Sequence, residues 1–361
     1  MAQRGTIGII NPYWSFWESA VGPDFPEDRR ALAHAGEETL RQFVDVAWSV
    51  TVQPGDDIPA LVQTLDASID ALVVVSTMAA SPGAIIQLLD AFPTTPIVVW
   101  AAHRGRAVEA NLTHSGITER GGTVGTPMIG AHLTRIGRPY DIVAGELSDP
   151  SALGPAVRAA AAAGVVRRSR LGIVGSTLPG YEWARISNET LASVGVTAVT
   201  REPSELAARI PDRPVGGAQV LAGFEVEPDV PAPALEMALR FADALQSLVD
   251  DERLDAGTLN CHVPELRLGR GSAPCLALGA CTSGGVPWTC TGDVATSLAM
   301  LLVASLGAPT LYHEIEALDE VSNEAILANS GEHDARFATT GTKRIIVNPW
   351  FDREPATASA E

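Results

Sequence analysis

The sequence predicts an α/β protein: two Rossmann-like, three-layer units with mostly parallel sheets, plus a short C-terminal α/β extension. Three observations carry this expectation. Continuous apolar runs alternate with helical stretches through the first 145 residues, as strands covered on both faces do. The alternation restarts near residue 170. From residue 256 it gives way to a Gly-, Pro- and Cys-rich region with short strands of its own.

In chain order, Thr6-Ile-Gly-Ile-Ile10, Asp70-Ala-Leu-Val-Val-Val75 and Pro96-Ile-Val-Val-Trp-Ala101 read as strands, with helices over Ile58 to Leu65 and Pro82 to Phe92. Such alternation is the signature of a parallel sheet with crossover helices. An Ala-rich helix, Pro150 to Val166, leads into a second strand-turn, Arg170-Leu-Gly-Ile-Val-Gly175, with Val196 to Thr200 as its neighbour. Pro231 to Asp251 has Pro in its first turn and Leu235, Leu239, Ala242 and Leu245 at helical spacing. Ala256 to His262 reads as a strand, Asp293 to Leu306 as a buried helix, and Pro309 to Tyr312 and Ala325 to Ala328 as strands. The tail from Pro355 to Glu361 is expected to fray. These elements divide the chain into domains over 1–145 and 146–308 and a C-terminal segment over 309–361.

Composition excludes several function classes. A net charge of −18 argues against a nucleic-acid partner, which needs a clustered positive field. Lys343 is the sole lysine, so a lysine nucleophile or Schiff base is set aside. No run reaches the ~18 apolar residues of a membrane span, and the start of the chain lacks the apolar core of an export signal. Cys261, Cys275, Cys281 and Cys290 lack the paired spacing of structural zinc sites. Reduced thiols, a cytoplasmic location and no membrane partner are the expectation. No phosphate-loop, dinucleotide, zinc-protease or serine-hydrolase motif occurs.

Polar residues gather instead in the last third. Thr291-Gly-Asp293 opens the buried helix; His313, Glu314 and Glu316 follow one expected strand; Asn329, Glu332, His333 and Asp334 follow the next. Carboxylates and imidazoles beside strand ends suit a hard or borderline divalent ion, although Asp293 reads equally well as a helix cap. Helix start and strand ends meet at one edge of a parallel sheet, so Asp293, Glu314 and His333 are expected to converge on one cleft with Thr291 facing it. Two further segments are unusual. Asn11 to Glu18 places four aromatics, Trp14 and Trp17 among them, directly after the first strand, where they suit a sugar face or, equally, a subunit contact. Gly121-Gly-Thr-Val-Gly-Thr-Pro127 suggests a helix starting at Pro127 with Thr126 as its cap and with amides free for a hydroxyl or anion.

Asn260-Cys-His262, Pro274-Cys275, Trp288-Thr-Cys-Thr-Gly-Asp-Val294, Leu306-Gly-Ala-Pro309, Tyr312-His-Glu314 and Ala328-Asn-Ser-Gly331, in this order, resemble the active-site stretch of the L-fucose/L-arabinose isomerase family. The resemblance implies an aldose–ketose isomerase that moves a proton through an enediol with the help of manganese or another divalent cation. It implies a carbohydrate substrate and a homo-oligomer. Carried onto this chain, it matches Glu314 to a metal-binding carboxylate; read together with the polar cluster and the two unusual segments, Glu314 and Asp293 are expected to be catalytic, Glu314, Asp293 and His333 to be metal ligands, and Trp14, Trp17, Thr126, Thr291, Asn329 and Glu332 to face the substrate. The chain departs from the family at Thr291, where a metal-binding Glu is the rule, and at Asn329, where one branch has His. The family's C-terminal β-barrel has no room after Gly331. A sugar-binding protein without catalysis, or a metal-independent acid–base enzyme using His313, Glu314 and His333, is the alternative.

Overall fold

The computed structural model describes residues 5–105, 107–108, 110–266, 274–329, 332, 334–338, 342–348 and 355–360. Contacts divide the chain into two units, one ending at Val165 and the next beginning at Val166.

The first unit holds strands β1 (Thr6–Pro12), β2 (Asp45–Val52), β3 (Ala71–Ser76), β4 (Ile97–His103) and β5 (Asp141–Glu146) in the parallel order β2-β1-β3-β4-β5. Alternation along the central strands sends side chains to two separate cores. Ile7, Ile9, Val73, Val75, Val98 and Trp100 pack on one face; Ile10, Leu72, Val74, Ile97 and Val99 pack on the other. The helices Phe25–Leu40 and Leu153–Arg167 contribute to the first face, and Gly83–Asp90 and Gly122–Arg135 to the second. The three-layer arrangement follows directly. Edge strands β2 and β5 are half exposed and so lack the continuous apolar run that marks β3 and β4.

Helix Leu153–Arg167 belongs with this sheet, because it buries Leu153, Val157, Ala160 and Ala161 there. The division between units falls in the last turn of that helix. Contact is closest at Gly164, where an added Cβ would lie 1.8 Å from the Asp70 carbonyl oxygen.

The second unit contains β6 (Arg170–Val174), β7 (Thr197–Arg201), β8 (Phe224–Val226), β9 (Ala256–Leu259), β10 (Trp288–Thr289), β11 (Glu314–Asp319), β12 (Glu324–Ala328), β13 (Thr342–Val347) and β14 (Pro355–Ala360). Strands β10-β9-β6-β7 form a parallel sheet. Helices Ala232–Glu252 and Cys275–Gly284 cover one face, with Leu245, Leu248 and Leu278 meeting Val174, Leu259 and Trp288. Leu191, Val294 and Leu298 cover the other, over Leu171 and Ile173. The Trp288 ring occupies space above the sheet that only glycine leaves open: Cβ atoms on Gly257 and Gly172 would lie 2.5 and 3.2 Å from it.

The C-terminal segment differs from its sequence reading in three ways. Pro309 to Tyr312 forms no strand beyond an isolated bridge at Leu311. Glu314 lies within a strand, and β11 pairs with β12 as an exposed antiparallel hairpin, not as part of a parallel sheet. The stretch expected to fray is β14, paired with β13, which in turn pairs with β8. Among the described residues no helix is long and apolar enough to cross a membrane.

The Gly164 contact yields a prediction with a definite sign. Helix propensity alone would make Gly164→Ala stabilising by up to ~1 kcal/mol. The overlap with the Asp70 carbonyl forces the helix off the sheet, so urea unfolding should show a loss of about 1–3 kcal/mol instead.

Candidate active site

Parallel pairing makes β6, β9 and β10 end at one edge. Val174 of β6 is level with Leu259 of β9, and Thr258 with Thr289 of β10. Beyond that edge the three loops are laced together. Asn260 N–H donates to the Val174 carbonyl (3.0 Å), Gly292 N–H to the Leu259 carbonyl (3.0 Å), and Leu178 N–H to the Thr291 carbonyl (2.9 Å). The Thr177 hydroxyl donates to the Gly292 carbonyl (3.2 Å). Gly292 adopts φ +74°, and a Cβ there would lie 2.6 Å from Thr177 Cα, so glycine is required. Its neighbour Thr291 adopts φ +58°, a strained conformation for a β-branched residue that costs on the order of 1–3 kcal/mol. Strain of this kind collects at functional sites.

Asp293 caps the helix Val294–Ser305, as one of its two sequence readings expects. Its Oδ1 accepts from Thr296 N–H (2.8 Å) and its Oδ2 from the Thr296 hydroxyl (2.7 Å). The Tyr312 hydroxyl donates more weakly to the same Oδ2 and lies equally far from the Thr291 hydroxyl, 3.4 Å in each case. Burial first, then the Cys290 sulfur and, more weakly, the charges of Asp293 and Glu314, hold the Tyr312 phenol in its protonated form.

Two thiols that the sequence reads as inert packing belong to this edge. Cys261 follows β9 and Cys290 follows β10; all four cysteines are buried and outside any disulfide. Cys290 donates to Cys261, and His262 and the Thr291 amide add to that hydrogen bond, so Cys261 is drawn toward the thiolate against its burial. Cys290 is pushed the other way, chiefly by the same bond and by burial. A cysteine placed one or two residues past a buried strand is the signal that could have singled them out.

Glu332 is the most unusual group. It is fully buried, and neither carboxylate oxygen completes a hydrogen bond among the described residues. Burial, chiefly, raises its pKa to about 7; the charges of Cys261 and Glu314 add to the rise, and the nearby Cys290 thiol opposes it. Glu314 itself is exposed on the hairpin, close enough for its charge to reach both Glu332 and Tyr312. The edge thus has a buried floor of Cys261, Cys290, Asp293, Tyr312 and Glu332 and a rim containing His262, Thr291, His313 and Glu314.

The sequence-derived candidates fare unevenly. Asp293, Thr291, Glu314 and Glu332 come together here, and Asn329, which follows β12, is buried. His333 lies outside the described residues. Among the described residues no three His, Cys, Asp or Glu side chains assemble as a metal-binding group, and Asp293 spends both oxygens on its cap. Thr126 does not cap a helix. The helix starts earlier, at Gly122, and Thr126 lies buried inside it, its hydroxyl donating to the Gly122 carbonyl (2.9 Å). Trp14 and Trp17 belong to the first unit and are half-buried in an aromatic cluster with Phe16; Trp17 Nε1–H donates to the Ala79 carbonyl (2.8 Å).

No protein-family model matches this chain, and no curated protein matches it.

Burial of Glu332 has a consequence for stability. Its folded-state pKa lies above the ordinary glutamate value, so between pH 4.5 and about 7 the unfolded chain has released a proton that the folded chain keeps. Stability then falls as pH rises through that window and is flat above it. Denaturant unfolding of the wild type should lose about 3 kcal/mol between pH 4.5 and 8 from this group, and Glu332→Gln should remove that loss. Equal slopes in wild type and variant would show Glu332 to be ionised in the folded chain.

Proposed function

We propose that the second unit carries an acid–base active site that moves a proton between adjacent carbons of a small open-chain carbohydrate, as in aldose–ketose isomerisation. One observation supports this most: two carboxyl groups at one strand edge differ sharply in environment. Glu332 is buried and held partly protonated at neutral pH, whereas Glu314 faces solvent. Environments that push two titratable groups apart mark an acid and a base. In this reading Glu314 takes the proton from the carbon next to the carbonyl, and the protonated Tyr312 phenol donates to the carbonyl oxygen as the enediol forms. Glu314 then returns its proton to the former carbonyl carbon, and the adjacent hydroxyl gives its proton back to Tyr312 as the ketose forms, while the protonated Glu332 beneath keeps a second negative charge out of the site. Thr291 and His313 on the rim bind hydroxyl groups. The resemblance to the isomerase family supports the substrate class.

A metal-assisted version has one observation in its favour. A buried carboxylate that completes no hydrogen bond among the described residues is what an ion's ligand looks like without the ion, and an ion there would draw on Glu332 and Glu314, because Asp293 is engaged.

Incubation with a panel of pentoses and hexoses in deuterated water, followed by NMR, tests the proposal. Deuterium should enter at C1 of the ketose as it forms, and at C2 of the aldose as the reaction reverses. Glu314→Gln should cut that rate by about 100-fold or more with an unchanged circular dichroism spectrum. Persistence of exchange in excess chelator favours the metal-free version, and restoration by manganese the metal-assisted one. Saturable sugar binding without any exchange would overturn catalysis and leave a binding protein.

A further inference from the structure

The first unit has a cavity of its own, about 430 Å³ in volume, at the carboxyl edge of its sheet. The ends of β3, β4 and β5 reach it through Thr77, His103 and Glu146, and Arg104 and Arg120 line it. Open parallel sheets bind ligands at this edge.

The charge at this cavity contrasts with the protein as a whole. The chain carries −18, yet two guanidinium groups face this space and a third lies close behind. Arg29, 3% exposed, donates to the Thr77 carbonyl (2.7 Å) and shares Asp28 with Arg104. Although burial opposes it, Arg104 and Arg29 hold Asp28 below the usual carboxylate range. One aspartate against two arginines leaves a positive charge over. Glu146 offsets one further charge and Arg120 restores it, so the five groups sum to +1.

The helix Gly122–Arg135 begins against the same edge, and Thr123 in its first turn lines the cavity. It is seated by its first residue: a Cβ on Gly122 would lie 2.5 Å from the Ser76 carbonyl oxygen at the end of β3 and 3.1 Å from that of Ala102 in β4. Only glycine lets the helix start so close to the strand ends, where its dipole adds to the arginines' field.

We propose that this cavity binds a small phosphorylated metabolite, with Arg104 and Arg120 taking the phosphoryl group. Two guanidiniums and a helix start match a dianion with several acceptor oxygens. Glu146 and His103 give the non-phosphorylated part a hydroxyl acceptor and a second polar contact. The volume suits a sugar-sized molecule. This inference is independent of the acid–base site, which lies in the other unit.

Calorimetric titration of the full chain with inorganic phosphate, and separately with malonate, tests it. Phosphate should bind saturably at one site per chain. Arg120→Ala and Arg104→Ala should each weaken binding about tenfold, as loss of a charge-assisted contact does. Arg120→Lys should recover part of the loss. Should Arg104→Ala unfold because Asp28 loses its partner, the Arg120 pair decides alone. Absence of saturable phosphate binding, unchanged affinity in Arg120→Ala, or preference for malonate would overturn the proposal.

Discussion

Parallel pairing of β6, β9 and β10 obliges three strands to leave the sheet at one edge, and the rest of the second unit is arranged around what happens there. The strands bring Gly175, Asn260 and Cys290 to neighbouring positions. Their loops then exchange backbone hydrogen bonds across the edge, which fixes Thr291 in a left-handed conformation and requires glycine at 292. The sheet below is locked by the Trp288 ring over two glycines. Replacing either glycine would tilt that ring and carry the loop after β10 with it, so core packing and site geometry are one problem in this unit.

Onto that rigid edge the chain places a group it would be more stable without. A buried carboxyl that completes no hydrogen bond among the described residues is costly, and raising its pKa to about 7 limits the cost by keeping the proton on. Groups perturbed in this way concentrate at functional sites. Its neighbours fit that use: a phenol held protonated, a thiol pair sharing one proton, and a solvent-facing carboxylate.

Much of the architecture was legible in the sequence because buried parallel strands are written as apolar runs. Ala71 to Ser76 and Ile97 to Ala102 are such runs, and both are buried throughout. The edge strands β2 and β5 were not legible, since half-exposed residues carry no such run. Pairing direction in the C-terminal segment was invisible as well. Composition shows that Ala325 to Ala328 forms a strand but not that its partner is β11 in antiparallel register. At the site, Asp293 and Thr291 could be named because a helix start meets strand ends; Glu314 and Glu332 could be named only as part of a polar cluster, since β11 and β12 leave the parallel sheet. The thiols and Tyr312 could not, since their roles arise from burial and from neighbours distant in sequence.

The central claim is that the buried Glu332 keeps its proton near neutral pH beside the solvent-facing Glu314. Carbon-13 NMR of the full-length protein labelled at glutamate carboxyls, with Glu332 assigned by comparison with Glu332→Gln, measures this directly. The account predicts a midpoint near pH 7 for the Glu332 resonance, moving lower in Glu314→Gln as the neighbouring charge is removed. A midpoint at the ordinary glutamate value, unmoved by that substitution, would contradict it.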